Sequence, residues 1–138
     1  MRVTLSPNYK PSDKETFMNP IMLEYFRQKL LSWRGELLGE SSETLQYLQE
    51  GSTLEADIAD RASTEADRSL QLRTRDRARK LISKIDEALE RIESGTYGYC
   101  EETSETISLK RLEARPIATM SLEAQESHER MEKMHRDD

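Results

Sequence analysis

The sequence predicts a mainly α-helical protein, with a long antiparallel coiled-coil hairpin, a small globular base and a C-terminal helix. Three observations predict it. Two stretches of similar length carry apolar residues at helical spacing, an acidic turn separates them, and a glycine-containing break followed by Pro116 ends the pattern. Composition agrees: 35% of residues are apolar and 35% charged. That is thin for a wide core but suits long solvated helices with narrow buried seams.

Residues 1–19 form an N-terminal arm, with Pro7 and Pro11 and no clear period, read as extended or loosely ordered. Asn19-Pro20 is a helix start, with Asn at the cap and Pro where its missing N–H costs nothing. The hairpin spans residues 20–93 with its tip around 51–62. Its first arm carries Leu23, Phe26, Leu30, Trp33 and Leu37 at spacings of three and four, then Ser41 and Thr44. Its second carries Ala78, Leu81, Ile85, Ala88 and Ile92, with Gln71 and Thr74 nearest the turn. Both seams are apolar near the base and polar near the tip, as antiparallel pairing requires. An arm of roughly 30 residues reaches about 45 Å.

Residues 94–120 form an irregular base, opened by Ser94-Gly95-Thr96-Tyr97-Gly98-Tyr99-Cys100. Its expected apolar residues are Tyr97, Tyr99, Ile107, Leu109, Leu112, Ile117 and Met120. Ser121 can cap a C-terminal helix over 121–138, with Leu122, Met131 and Met134 as its apolar residues.

The charge balance narrows the function classes. With 21 basic and 27 acidic residues the net charge is -6, which disfavours general DNA binding because the phosphate backbone rewards a cationic surface. One cysteine forms no internal disulfide, which fits a reducing cytosol. The first residues lack the apolar core of a signal peptide, and no run of about 18 apolar residues is present to span a membrane. The expectation is a soluble, cytoplasmic chain, and a monomer.

The acidic turn Asp57-Ile-Ala-Asp60-Arg-Ala62 is the first constellation that can carry chemistry. Either carboxylate can cap the second helix. A capping Asp is also held in orientation, so the same residues can probe a deep channel in a partner. A shared Mg²⁺ is a further option, since that ion needs only one or two carboxylates when a partner supplies the rest. The second constellation is basic: Arg73, Arg75, Arg77, Arg79, Lys80 and Lys84 around a single Asp76. It is either a solvated face paired with Glu on the opposite arm, or a docking face for an acidic surface or phosphates. Cys100 has no catalytic partners, and with His128 it falls short of the four ligands of structural zinc. No enzyme activity is expected.

With these residues assembled, the chain resembles the DksA/TraR family of bacterial transcription factors over roughly residues 20–138. The resemblance rests on Asp57–Ala62, Leu72-Arg-Thr-Arg-Asp-Arg77, Tyr97-Gly-Tyr-Cys100 and Lys110-Arg-Leu-Glu-Ala-Arg-Pro116, in that order. It implies direct binding to RNA polymerase without reading DNA sequence, the hairpin entering the secondary channel. It implies Asp57, Asp60 and Ala62 as the tip residues near the active centre and Arg77 in polymerase docking. It implies Leu81, Lys84 and Arg115 as contacts to the alarmone ppGpp, whose further basic family position reads Gln125 here. The expected outcome is altered stability of promoter open complexes in a stringent response.

The family's zinc spacing departs sharply. Counted from Cys100 it leads to Thr103, Ser121 and Ala124, so the base is a degenerate zinc finger and no cofactor is expected. Two rivals share the geometry: a Gre-type transcript-cleavage factor, whose tip carboxylates hold a catalytic Mg²⁺, and a generic coiled-coil adaptor.

Overall fold

Helix α1 (Pro20–Gly51) starts where local cap chemistry places it: the Asn19 side-chain oxygen accepts from the Met22 N–H at 2.9 Å. The structure, a computed structural model, describes residues 3–51 and 58–137, without the side chains of 44, 45, 47–51, 58–64 and 137. Helix α2 (Ile58–Ser94) ends in a Schellman motif. Gly95 at φ 81 donates to Ile92 and Thr96 donates to Arg91, so two otherwise orphaned carbonyls are satisfied. Two shorter helices follow, α3 (Leu109–Ala114) and α4 (Leu122–Asp137). Among the described residues, β structure is limited to one antiparallel bridge, Tyr99 with Thr106.

The chain divides into two units. One comprises Leu31–Asp86 and contains parts of α1 and α2. Leu37, Ala78 and Ile85 are buried there, and Arg34 Nε donates to Asp86 Oδ1 at 2.8 Å, joining α1 to α2. That pair is half-exposed and fixes register more than it adds stability. Thr74 does not take the predicted seam position. It is exposed and its hydroxyl donates to the Leu70 carbonyl at 3.0 Å, a local bond that removes it from interhelical packing.

The other unit, the base, joins Met1–Leu30 to Glu87–Asp138. Met22, Phe26 and Leu30 of α1 are fully buried against a core that includes Ala88, Tyr97, Ile107 and Leu112. The row of steps of four starts at Met22, so the predicted Leu23 is only half-buried and lines a groove of about 340 Å³ with Val3, Arg27 and Ile92. The Tyr97 hydroxyl donates to the buried Pro116 carbonyl at 2.8 Å, which ties the turn after α2 to the segment after α3.

The arm is not a loose lead-in. Tyr9 donates to Glu15 at 3.0 Å and packs edge-on against Tyr25, with ring centroids 5.9 Å apart. Phe17 packs edge-on against Tyr99 at 5.4 Å. Gly98, at φ 90, lets Phe17 and Met18 lie close over the backbone: an added Cβ would meet Met18 at 2.9 Å. These aromatic contacts join residues far apart in sequence, which periodicity does not reveal.

Two further expectations change. The base contains a short helix, α3, where an irregular segment was predicted. In α4 the buried residue is Ala124, while Leu122, Met131 and Met134 are 56%, 58% and 68% exposed. The terminal helix is therefore held by its first turn, where Ser121 Oγ accepts from the Ala124 N–H at 3.2 Å.

Candidate functional site

Asp57 lies outside the described residues. Asp60 and Ala62 fall within α2, near its start at Ile58, and their side chains lie outside the described set. Further along that helix, Arg77, Leu81 and Lys84 are spaced by four and three residues and so share one stripe. Arg77 and Lys84 are exposed and Leu81 is half-buried. Among the described residues, Arg73, Arg75, Arg77, Arg79, Lys80 and Lys84 form no ion pair. Among the described residues the opposite arm does not neutralise the run.

Arg115 belongs to the base. It is the C-cap of α3, exposed, with its N–H donating to Arg111 at 2.7 Å and its carbonyl accepting from Ala118 at 3.0 Å. Gln125 is half-buried on α4 and donates to Glu129 at 3.1 Å. His128 pairs with Glu102, linking α4 to the turn after Cys100, and the carboxylate raises the imidazole pKa.

Around Cys100 the chain makes a hydrogen-bonded knuckle. The Cys100 N–H donates to Glu105 at 2.7 Å, Ser104 donates back to Cys100 at 2.9 Å, and Glu101 donates to Thr119 at 2.8 Å. Burial pushes the Cys100 thiol up. The Thr103 hydroxyl and the N–H groups of Ser121, Thr103 and Glu102 outweigh burial by donating to sulfur, and the pKa falls from 9.0 to about 6. The positions Cys100, Thr103 and Ser121 are thus brought together, with Thr103 and the N–H of Ser121 favouring the thiolate. Ala124, at the fourth position, is buried and offers no ligand atom.

A thiolate favoured by folding contributes stability that is full above pH 9.0 and is lost as the pH falls through about 6. Ultraviolet thiolate absorbance, referenced to a Cys100→Ser protein, is expected to titrate with a midpoint near pH 6. A midpoint at the ordinary value would show that the donors do not converge on sulfur.

Comparison with known proteins adds to this geometry. Residues 22–92 match the family model described as DnaK suppressor protein DksA, N-terminal domain. The RNA polymerase-binding transcription factor DksA of Caulobacter vibrioides is 66% identical over 95% of this chain and 92% of its own length.

The chain belongs to the DksA family.

The factor of the same name from Escherichia coli K12 is 39% identical over 91% of this chain and 83% of its own. The solved structure of transcription factor DksA2 from Pseudomonas aeruginosa matches with a TM-score of 0.79 and 43% identity, covering 85% of this chain and 90% of that one. Residues 95–130 match the prokaryotic dksA/traR C4-type zinc finger. The donor set of this DksA-family chain does not fit that description. Three of the four positions carry hydroxyls or a methyl group, and those hydroxyls are engaged with Cys100, Glu105 and Ala124. Among the described residues no group of three or more His, Cys, Asp and Glu could hold a metal ion. Among them, too, no helix is long and apolar enough to cross a membrane.

Proposed function

We propose that this chain is a cytoplasmic, non-enzymatic transcription regulator that binds RNA polymerase directly, as a monomer and without reading DNA sequence. The 66% identity to a factor named for polymerase binding, over nearly the whole of both chains, carries the reading. The hairpin of residues 20–93 inserts into the secondary channel, and Asp57, Asp60 and Ala62 reach the mobile elements near the active centre. The unpaired basic stripe supports docking through Arg77, because a planar guanidinium suits a carboxylate-bearing rim. Lys84 of that stripe and Arg115 take the phosphates of ppGpp where factor and polymerase meet, and Leu81 of the same stripe is an apolar contact to it. Residues 1–19, 94–120 and 121–138 serve as arm, base and terminal helix.

The mechanism is a shift of populations. A factor changes the stability of a promoter open complex only by binding one state better than another. Tip carboxylates that accept hydrogen bonds in one conformer of a mobile element meet that requirement. Promoters with short-lived open complexes are the most sensitive.

We also read the factor as working without zinc. The thiolate knuckle around Cys100 and the packing of Tyr97, Ile107 and Leu112 support a base held by hydrogen bonds and burial.

In-vitro transcription from a ribosomal-RNA-type promoter tests both readings. Repression is expected on adding the protein, deeper with ppGpp, and unchanged by a chelator that leaves the Mg²⁺ of the polymerase in place. Absence of repression overturns the regulatory reading. Strong stimulation of RNA cleavage in backtracked complexes replaces it with a Gre-type activity. Stoichiometric zinc in the purified protein overturns the metal-free base.

A further inference from the structure

Helix α3 has six residues, too few to hold itself, so tertiary contacts set its position. Leu109 and Leu112 are buried beneath it, and Ser108 caps its start by accepting from Arg111 at 3.2 Å. Glu113 provides the link on its outer side. Lys29 of α1 donates to Glu113 Oε2 at 2.6 Å, and the Tyr25 hydroxyl donates to the same carboxylate. Lys29 also stands 5.9 Å from the centre of the Tyr25 ring. The arm joins from the other side: Tyr9 packs on Tyr25, and the charge of Lys10 acts on Glu113. Two segments distant in sequence thus meet on one carboxylate, and the arm packs beside them through Tyr9 on Tyr25. The donors hold Glu113 below the usual carboxylate range, despite partial burial, so it is ionised at neutral pH.

Arg115 is two residues from Glu113, exposed and, among the described residues, without an ion pair. A half-exposed pair such as Lys29–Glu113 adds little to stability. Its effect is geometric: it fixes the end of a helix that cannot fix itself.

We infer that Glu113 is a positioning residue for Arg115, held by Tyr25 and Lys29, and that through Tyr9 and Lys10 the N-terminal arm is part of the apparatus that presents Arg115 to an anionic, phosphate-bearing effector. This rests on the reading of Arg115 as a phosphate contact. The link acts on effector response and not on docking, since none of its members lies on the basic stripe of α2.

The test uses full-length protein at saturating concentration, with RNA polymerase and a responsive promoter, and reads the ppGpp concentration for half-maximal repression. Lys29→Met and Glu113→Gln are each expected to raise it roughly three- to tenfold, with polymerase affinity in the absence of ppGpp and melting temperature unchanged. The charge swap Lys29→Glu with Glu113→Lys is expected to restore most of the response, which a loss of general stability would not do. Arg115→Ala is the reference and is expected to shift the response at least as far. If Arg115→Ala shifts the response but the Lys29 and Glu113 variants do not, the positioning role is wrong and the effector reading stands. If Arg115→Ala changes nothing, or the parent protein does not respond to ppGpp, the effector reading falls and the inference with it. Parallel losses of polymerase affinity and melting temperature would show a structural role only and overturn the inference.

Discussion

Asp60→Asn is expected to abolish the effect on transcription while leaving polymerase affinity and melting temperature nearly unchanged. Asparagine keeps the shape of aspartate and a similar helix propensity, so α2 tolerates it. What it loses is the charge, and with it a strong acceptor. A hydrogen bond to a charged group is worth about 1.5–3 kcal/mol, so a contact made in only one promoter state shifts that equilibrium roughly 10- to 150-fold. The competing account, in which Asp60 serves only the helix start, makes the opposite forecast. Losing a charge near a helix N-terminus costs about 0.3–1 kcal/mol of stability, with regulation retained. Thermal melts beside open-complex lifetimes decide between them. Normal regulation by the variant would remove Asp60 from the mechanism.

Phe26→Ala is expected to destabilise the base by about 3–5 kcal/mol, a large part of the stability of a small domain. Phe26 is fully buried, with the Tyr25 ring edge-on at 5.2 Å and the Tyr97 ring tilted at 5.6 Å. Removing it opens a cavity between α1 and the turn that follows α2. It also releases Tyr97, whose hydroxyl holds the Pro116 carbonyl close to Arg115. Phe26→Leu keeps most of the volume and should cost far less. Urea unfolding followed by near-ultraviolet circular dichroism measures both. A loss below about 1 kcal/mol for the alanine variant would mean that Phe26 is not in the core.

Signals contained within a few residues were legible. Asn19-Pro20 announces the start of α1 because a side chain and the N–H three residues on settle it. Gly95 lies just past the end of α2 for the same kind of reason. The long seams of α1 and α2 were legible through period, although the choice of Met22 over Leu23 was not. Neighbouring apolar residues compete for one seam, and the partner surface decides. Helix α3 is too short to show a period. The packing of the arm was missed because Tyr9 and Phe17 find their ring partners in α1 and at Tyr99, far away in the chain. Within the candidate site, the family's zinc spacing counted from Cys100 located Thr103, Ser121 and Ala124. It could not show that Thr103 and Ser121 donate to the remaining sulfur, since that depends on how two distant turns meet. The Lys29–Glu113 link carried no sequence signal for the same reason.

The base is assembled from both ends of the chain, whereas Leu31–Asp86 is continuous. This sets an order of events during synthesis. Helical contacts in the continuous segment are local enough to form as soon as it emerges, because local contacts close quickly. The base waits: Phe17 and Phe26 leave the ribosome early, but the Tyr99 and Tyr97 that pack on them come late. Until then the apolar start of α1 is exposed, and that interval is when the nascent chain is most open to aggregation and to chaperones.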